Sequence, residues 1–115
     1  MQECLFCKIL NGEIPSNKVF ENESVYAFSD IYPQAKEHYL FIHKSHTTNI
    51  NHMTDEHPQQ IADVFQAISS FTKGKGLVES GFRVVTNCGP NAGQTVFHTH
   101  FHVLAGGPLA GFGAK

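Results

Sequence analysis

Three histidines at alternate positions carry the densest chemistry in this chain: His98, His100 and His102, in the run Phe97-His98-Thr99-His100-Phe101-His102. An extended strand sends all three to one face, with neighbours roughly 6.6 Å apart. Phe97, Thr99, Phe101 and Val103 then form the opposite face and read as core. Imidazoles on a half-buried face are costly without polar partners, so the row reads as functional. Two chemistries fit the spacing. An H-x-H pair can chelate one Zn²⁺ and leave a position open for a catalytic water. Alternatively, a neutral imidazole attacks phosphorus while an acceptor on its other nitrogen fixes the tautomer.

The segment before the row bears on that choice. Asn87 closes the preceding strand, and Gly89, Asn91, Gly93, Gln94 and Thr95 follow it. Glycines let backbone N–H groups approach an anion, and Asn, Gln and Thr donate neutral hydrogen bonds. Alone, such a loop is a glycine-rich hairpin turn. Beside three histidines it suits a phosphate.

Cys4 and Cys7 form a C-x-x-C pair, while Cys88 stands alone and reads as a small semi-buried residue. A redox role would place the pair at the start of a helix after a strand, and no strand precedes it. Zinc is the better reading, but two thiolates are half of a tetrahedral site. His38, His43, His46, His52, His57 and His98 are the candidates for the missing ligands.

The elements that must position these groups are readable from periodicity. Residues 5–10 read as a short helix stopped by Asn11-Gly12. Residues 18–21 and 24–30 read as a hairpin, with Val25 and Ala27 on one face and Tyr26, Phe28 and Asp30 on the other. Residues 38–44 form a third, more central strand. Thr54 is the expected N-cap of one long helix, whose apolar stripe is Ile61, Val64, Phe65, Ile68 and Phe71 and whose end is Gly74 and Gly76. Residues 81–87 and 96–106 complete five strands. The order predicts an α+β fold, an antiparallel sheet with one long and one short helix.

The 115 residues suit a single domain over 1–115, and 41% hydrophobic content with ten Phe supplies a core. A single-layer sheet of this size leaves one face poorly covered, which favours pairing with a second copy. A net charge of −2 argues against nucleic-acid binding through a broad basic surface. No stretch approaches the roughly 18 apolar residues of a membrane span, and the N-terminus lacks a signal-peptide pattern. A cytoplasmic location is expected, and three cysteines there do not suggest a disulfide framework.

GQTVFHTHFHVLAG resembles the histidine-triad signature, in which histidines alternate with hydrophobic residues after a Gly-Gln-Ser/Thr element. CLFCKILNGEIPSNKVFENESVYAFSDIYPQAKEHYLFIHKSH is similar to the N-terminal half of the Hint-like branch, and GFRVVTN falls where that branch has its asparagine-bearing strand. The resemblance spans nearly the whole chain. It implies a homodimer with a continuous ten-stranded sheet and the long helices between subunits. It also implies hydrolysis of purine nucleoside phosphoramidates and related nucleotidyl conjugates such as adenylated amines. His100 is then the nucleophile, His102 a phosphate contact, and His38 a support of the histidine network. Asn87, Gln94 and Thr95, with Gly93 in the same loop, match phosphate or leaving-group positions, and Asp30 the ribose carboxylate. Leu5, Phe6, Ile9, Phe28 and Ile31 match the base pocket. Bacterial relatives carry a structural zinc at positions corresponding to Cys4, Cys7, His46 and His98. His98 and His102 would lie roughly 13 Å apart along the strand, so one end can serve zinc and the other chemistry.

Two positions and the tail depart from the family pattern. His43 stands where relatives have proline, which leaves open a looser turn or a competing metal ligand. Thr99 replaces a hydrophobic residue, and the short tail GPLAGFGAK has no Trp. Rival readings are a dinucleoside polyphosphate hydrolase or nucleotidyl transferase of the same superfamily, a dimeric nucleotide-binding scaffold with incidental hydrolysis, and a zinc hydrolase.

Overall fold

A computed structural model describes residues 4–111. Helix α1 covers Leu5–Leu10, and strands β1 (Lys18–Glu21), β2 (Val25–Ser29) and β3 (Glu37–His43) follow. Helices α2 (Ile50–Glu56), α3 (Pro58–Gly74) and α4 (Leu77–Ser80) lead to β4 (Phe82–Val85) and β5 (His100–Ala105). The five strands form one antiparallel sheet in the order β1-β2-β3-β5-β4, the α+β architecture expected. No helix of the described residues is long and apolar enough to cross a membrane.

The sheet has two differently used faces. Val25, Ala27, Tyr39, Phe41, Phe101 and Val103 point to one side and pack against Val64, Ala67, Ile68 and Phe71 of α3 and Met53 of α2. On the other side Phe28, Leu40 and Ile42 pack against Cys4, Phe6 and Ile9 at α1. β5 lies between β3 and β4 and pairs Ile42 with His100 and Leu40 with His102, so both histidines share the α1 side. A one-residue slip of β5 would bring these imidazoles into the α3 core and expel Phe101 and Val103, each worth roughly 1.5–3 kcal/mol when buried. The register of the histidine row is therefore set by the core behind it.

The hairpin forms as expected, and Asn22 Oδ1 closes it by accepting from the Ser24 and Val25 amides at 3.0 and 2.9 Å. Three expectations fail. The helix cap is Asn49, whose Oδ1 accepts from the His52 amide at 3.0 Å, and Thr54 lies inside α2 with its hydroxyl on the Ile50 carbonyl. Pro58, with φ preset and no N–H to satisfy, starts the long helix separately. Phe65 is 44% exposed and Ala67 takes its expected place in the buried stripe. The last strand begins at His100 and not at residue 96. The Thr99 amide donates to the Thr47 carbonyl at 2.8 Å, so residues 96–99 are tied to the loop after β3, and Phe97 is left 53% exposed.

Candidate active site and metal-ligand cluster

His100 and His102 stand on β5 with ring centroids 5.0 Å apart, and His98 lies just before the strand. Each ring's protonation follows from a backbone partner, because a carbonyl only accepts and an amide N–H only donates. His100 Nδ1 lies 2.7 Å from the His98 carbonyl and must donate to it, which leaves the Nε2 lone pair free. His98 Nε2 donates to the His43 carbonyl at 3.0 Å, which leaves its Nδ1 lone pair facing Cys4 and Cys7. His38 Nδ1 accepts from the Gln34 amide at 3.0 Å, so its Nε2–H donates to His102 Nδ1 at 2.8 Å. His102 therefore presents Nε2–H. The two alternating rings on the strand have complementary roles, one a lone pair and the other a donor.

Burial favours neutral imidazoles throughout. It lowers His100 below the usual imidazole range against the opposing pull of its bond to the His98 carbonyl and of Asp30. It pushes His98 and His102 down to about 4, and lowers His38 and His43 as well. At neutral pH His100 is thus unprotonated at Nε2. No buried side-chain nitrogen or oxygen among the described residues lacks a partner, so the cost of a buried histidine row is met group by group. A stability consequence follows. Below the ordinary imidazole value near 6.5 the unfolded chain's His102 takes up a proton that the folded chain refuses until about 4. Stability is therefore full above about 6.5 and falls as pH drops toward about 4. Thermal melts across that window should show Tm decreasing with acid, and a flat or rising Tm would contradict the neutral assignment.

Around the row, Phe6 is the central apolar group. Its ring meets His100 edge-on at 5.0 Å and 89°, and Phe28 at 5.5 Å. Phe6, Ile9 and Phe28 are buried, while Leu5 and Ile31 are exposed, the latter at 76%. The expected base-pocket residues thus divide into a buried floor and an open rim. Asp30 Oδ1 accepts from the Tyr32 amide at 2.8 Å, and Oδ2 lies 3.5 Å from His38 Nε2.

The loop before the row is shaped internally. Gly89 and Gly93, with φ of +87° and +86°, bracket a short 3₁₀ turn at Pro90–Ala92 that other residues would strain. Gln94 is buried, and its amide donates to the Thr48 and Val96 carbonyls at 2.6 and 3.1 Å while Oε1 accepts from the Gly89 amide at 2.8 Å. It therefore staples the loop and leaves no amide proton unpaired for an anion. Thr95 and Gly93 are exposed and Asn87 is half-buried after β4. Thr86, which the sequence did not single out, donates to the His100 carbonyl at 2.8 Å. Only its adjacency to Asn87 could have drawn attention to it.

A second group forms at α1. Cys4 caps the helix, its Sγ accepting from the Cys7 amide at 3.2 Å, and this turn brings both sulfurs to one side. Cys4 and Cys7 Sγ, His46 Nδ1 and His98 Nδ1 all lie within 4.8 Å of one another. Cys4–His98, Cys7–His46 and Cys7–His98 are 3.4, 3.3 and 3.6 Å apart. A tetrahedral ion with two thiolates and two imidazoles at ordinary lengths sets such edges at about 3.6 Å. Burial and then the Cys4 contact push the Cys7 thiol up to about 12, so a thiolate here calls for a cation. The donor set and its spacing fit a divalent metal.

Of the six candidate histidines, only His46 and His98 enter this cluster. His43 is fully buried, donating from Nδ1 to Gln60 Oε1 at 2.7 Å and accepting at Nε2 from the Thr47 hydroxyl at 2.9 Å. Neither nitrogen is available to a metal. Thr47 in turn bonds Thr99 Oγ1 at 2.8 Å, so two of the departures from the family pattern meet in one buried network. The pairing of His98 with thiols, and not with His100, argues against a metal chelated by the His98–His100 pair.

A HIT-domain family model matches residues 11–109. The chain belongs to the HIT family. This HIT protein is 36% identical to the purine nucleoside phosphoramidase of Escherichia coli K12, over 94% of its own length and 91% of that protein's. Its structure superposes on a histidine triad protein from Clostridium difficile with a TM-score of 0.92 at 41% identity, covering 97% of both chains. A HIT family hydrolase from Clostridium thermocellum gives 0.90 at 40% identity, covering 96% of both.

Proposed function

We propose that this HIT protein hydrolyses purine nucleoside phosphoramidates and related nucleotidyl conjugates of amines through a nucleotidyl intermediate on His100. The observation that carries the reading is the 2.7 Å bond from His100 Nδ1 to the His98 carbonyl, which leaves a neutral Nε2 lone pair beside the His102 Nε2–H. In the first step Nε2 forms a bond to the α-phosphorus, the P–N bond breaks, and the amine leaves with the bonding pair and a proton taken from water. In the second, water attacks phosphorus, its proton is lost, and the P–Nε2 bond breaks to release the nucleoside monophosphate and neutral His100. His102 and Thr95 hold the phosphoryl oxygens, and Asn87 lies at the leaving-group side. Asp30 takes the ribose hydroxyls, and the base lies over Phe6, Ile9 and Phe28 with Leu5 and Ile31 at the rim. Gln94 and Gly93 give the loop its shape. The name of the 36% identical Escherichia coli relative supports this substrate class.

Zinc is the ion assigned to Cys4, Cys7, His46 and His98, where it supplies cross-linking and no chemistry of the reaction. A homodimer joined through the outer edge of β4, which has no strand partner among the described residues, completes a ten-stranded sheet. Free thiols suit a reducing compartment, and the cytoplasm is the assigned location. Rapid quenching with an adenosine phosphoramidate, followed by peptide mass spectrometry, should find adenylylated His100. Absence of that adduct during turnover would refute the intermediate, and faster cleavage of a dinucleoside polyphosphate than of the phosphoramidate would reassign the substrate.

A further inference from the structure

The Asp30, His38 and His102 ligand atoms lie within 4.8 Å of one another, close enough to invite a metal reading. The hydrogen bonds point elsewhere. The Gln34 amide donates to His38 Nδ1 at 3.0 Å, which forbids a proton on that nitrogen. Asp30 Oδ2, 3.5 Å from His38 Nε2, independently draws the proton to Nε2. That proton is directed at His102 Nδ1, 2.8 Å away. A metal on His38 Nε2 would require the proton on Nδ1, facing the Gln34 N–H. A protonated His102 would set two N–H groups against each other across 2.8 Å. Both alternatives cost a buried hydrogen bond.

The loop is held to this arrangement. The Asp30 amide donates to the His38 carbonyl at 3.0 Å and the Tyr32 amide to Asp30 Oδ1 at 2.8 Å, so residues 30–38 close on themselves. The charged and titratable groups around the pair are few. Asp30 and His100 flank it, β4 places Val85 opposite His102, and Arg83, further along β4, is turned to the Ala110 carbonyl at 3.0 Å. Of these, Asp30 alone favours a charged His102, against the larger effect of burial, while His38 Nε2–H occupies His102 Nδ1.

We propose that the Gln34 amide, Asp30 and His38 form a tautomer lock that keeps His102 a neutral Nε2–H donor to the phosphoryl oxygens, so that His102 is not the acid that protonates the leaving amine. His38 and Asp30 are positioning residues here, and Asp30 has this role in addition to its place at the ribose. The leaving nitrogen takes its proton from water. The inference rests on the phosphoramidate reading for the identity of the oxygens and the amine, but the lock itself is a property of the free protein.

The test is ¹⁵N-histidine NMR of the full chain, with His102 assigned through its loss in His102→Gln. Between pH 5.5 and 8 wild-type His102 should show a neutral ring protonated at Nε2 (about a unit or more clear of its lowered titration). An imidazolium or Nδ1–H signature at pH 7 would overturn the proposal. His38→Gln keeps an N–H donor toward His102 and should retain the neutral signature with kcat within a few-fold of wild type. His38→Glu replaces the donor by an acceptor and should protonate His102 and lower kcat about 10- to 100-fold, the usual span for losing an orienting partner. It should also add an ionisation to the pH–rate profile. Equal losses in both variants with an unchanged His102 signature would also overturn it. Should His38→Glu fail to fold, the wild-type and His38→Gln spectra still decide. If adenylylated His100 cannot be trapped while the signature holds, the substrate reading fails and the lock stands.

Discussion

Replacing His100 by asparagine should lower kcat for nucleotidyl hydrolysis by roughly 10⁴- to 10⁶-fold, the scale seen when a covalent nucleophile is removed. A 10⁴-fold loss corresponds to about 5.5 kcal/mol of transition-state stabilisation. Asparagine is the informative choice because its side-chain amide can still donate to the His98 carbonyl, which now takes the His100 Nδ1–H at 2.7 Å. It places nothing where Nε2 stands. Alanine would remove both groups and leave a gap beside Phe6, whose ring packs edge-on against the imidazole at 5.0 Å. The two variants together separate chemistry from packing. Both should lose turnover, but only alanine should lower Tm appreciably, because it deletes a buried ring and its bond. Nucleotide binding should change only a few-fold in the asparagine variant, since Phe6, Ile9, Phe28 and Asp30 remain in place. Single-turnover kinetics beside calorimetric titration with AMP would measure the two effects. An asparagine variant retaining more than about 1% of the wild-type rate would remove His100 from the nucleophile's role.

Much of this site is legible in the sequence because strand periodicity and short-range spacing are local properties. Val25 and Ala27 against Tyr26 and Phe28, and the Ile61, Val64, Ile68 and Phe71 stripe, follow from side-chain period alone. The alternation of His100 and His102 with Phe101 and Val103 does so too. The failures share a different cause. Whether the last strand begins at residue 96 or 100 depends on the Thr99 amide finding Thr47 O, a partner 52 residues away. Thr54-Asp55-Glu56 and Asn49 both satisfy the pattern of a helix start, and the choice was made by Asn49 Oδ1 on the His52 amide and by Pro58 opening a second helix. The C-x-x-C spacing gives two sulfurs on one side of a turn. It cannot name His46 and His98 as their companions, which entered only through the family resemblance. Tautomers lie further still from the sequence, because they are written by the backbone groups of His98, His43 and Gln34. His43 illustrates the limit well: a histidine near two cysteines is a ligand candidate by composition, and only the positions of Gln60 and Thr47 remove it.

Removing the proposed zinc should weaken both the fold and the proposed nucleotide site, because Cys4, Cys7, His46 and His98 tie together α1, the loop after β3 and the segment leading into β5. α1 has only six residues, too few to persist alone, and it brings Phe6 and Ile9 to the sheet. Cys4 and Cys7 lie at and within that helix, His46 in the loop after β3, and His98 immediately before β5. His98 has a double position: its Nδ1 faces the thiols, while its carbonyl accepts the His100 Nδ1–H. Unfolding and refolding in the presence of a chelator, or substituting Cys7→Ser, should therefore destabilise the protein by more than about 4 kcal/mol, the range associated with loss of a structural metal. Affinity for AMP should fall about tenfold as α1 loosens and Phe6 leaves Phe28 and His100. Adding Zn²⁺ back to the chelated wild type should restore both, and to the Cys7→Ser variant neither fully, since three donors remain where tetrahedral closure takes four. Cys88, exposed and outside the cluster, serves as the control, and Cys88→Ser should leave Tm and affinity unchanged. Calorimetric melts with metal analysis and AMP titration on the same samples measure all three quantities. A metal-free protein with wild-type Tm and wild-type AMP affinity would show that α1 is held by Phe6, Ile9 and their apolar contacts alone.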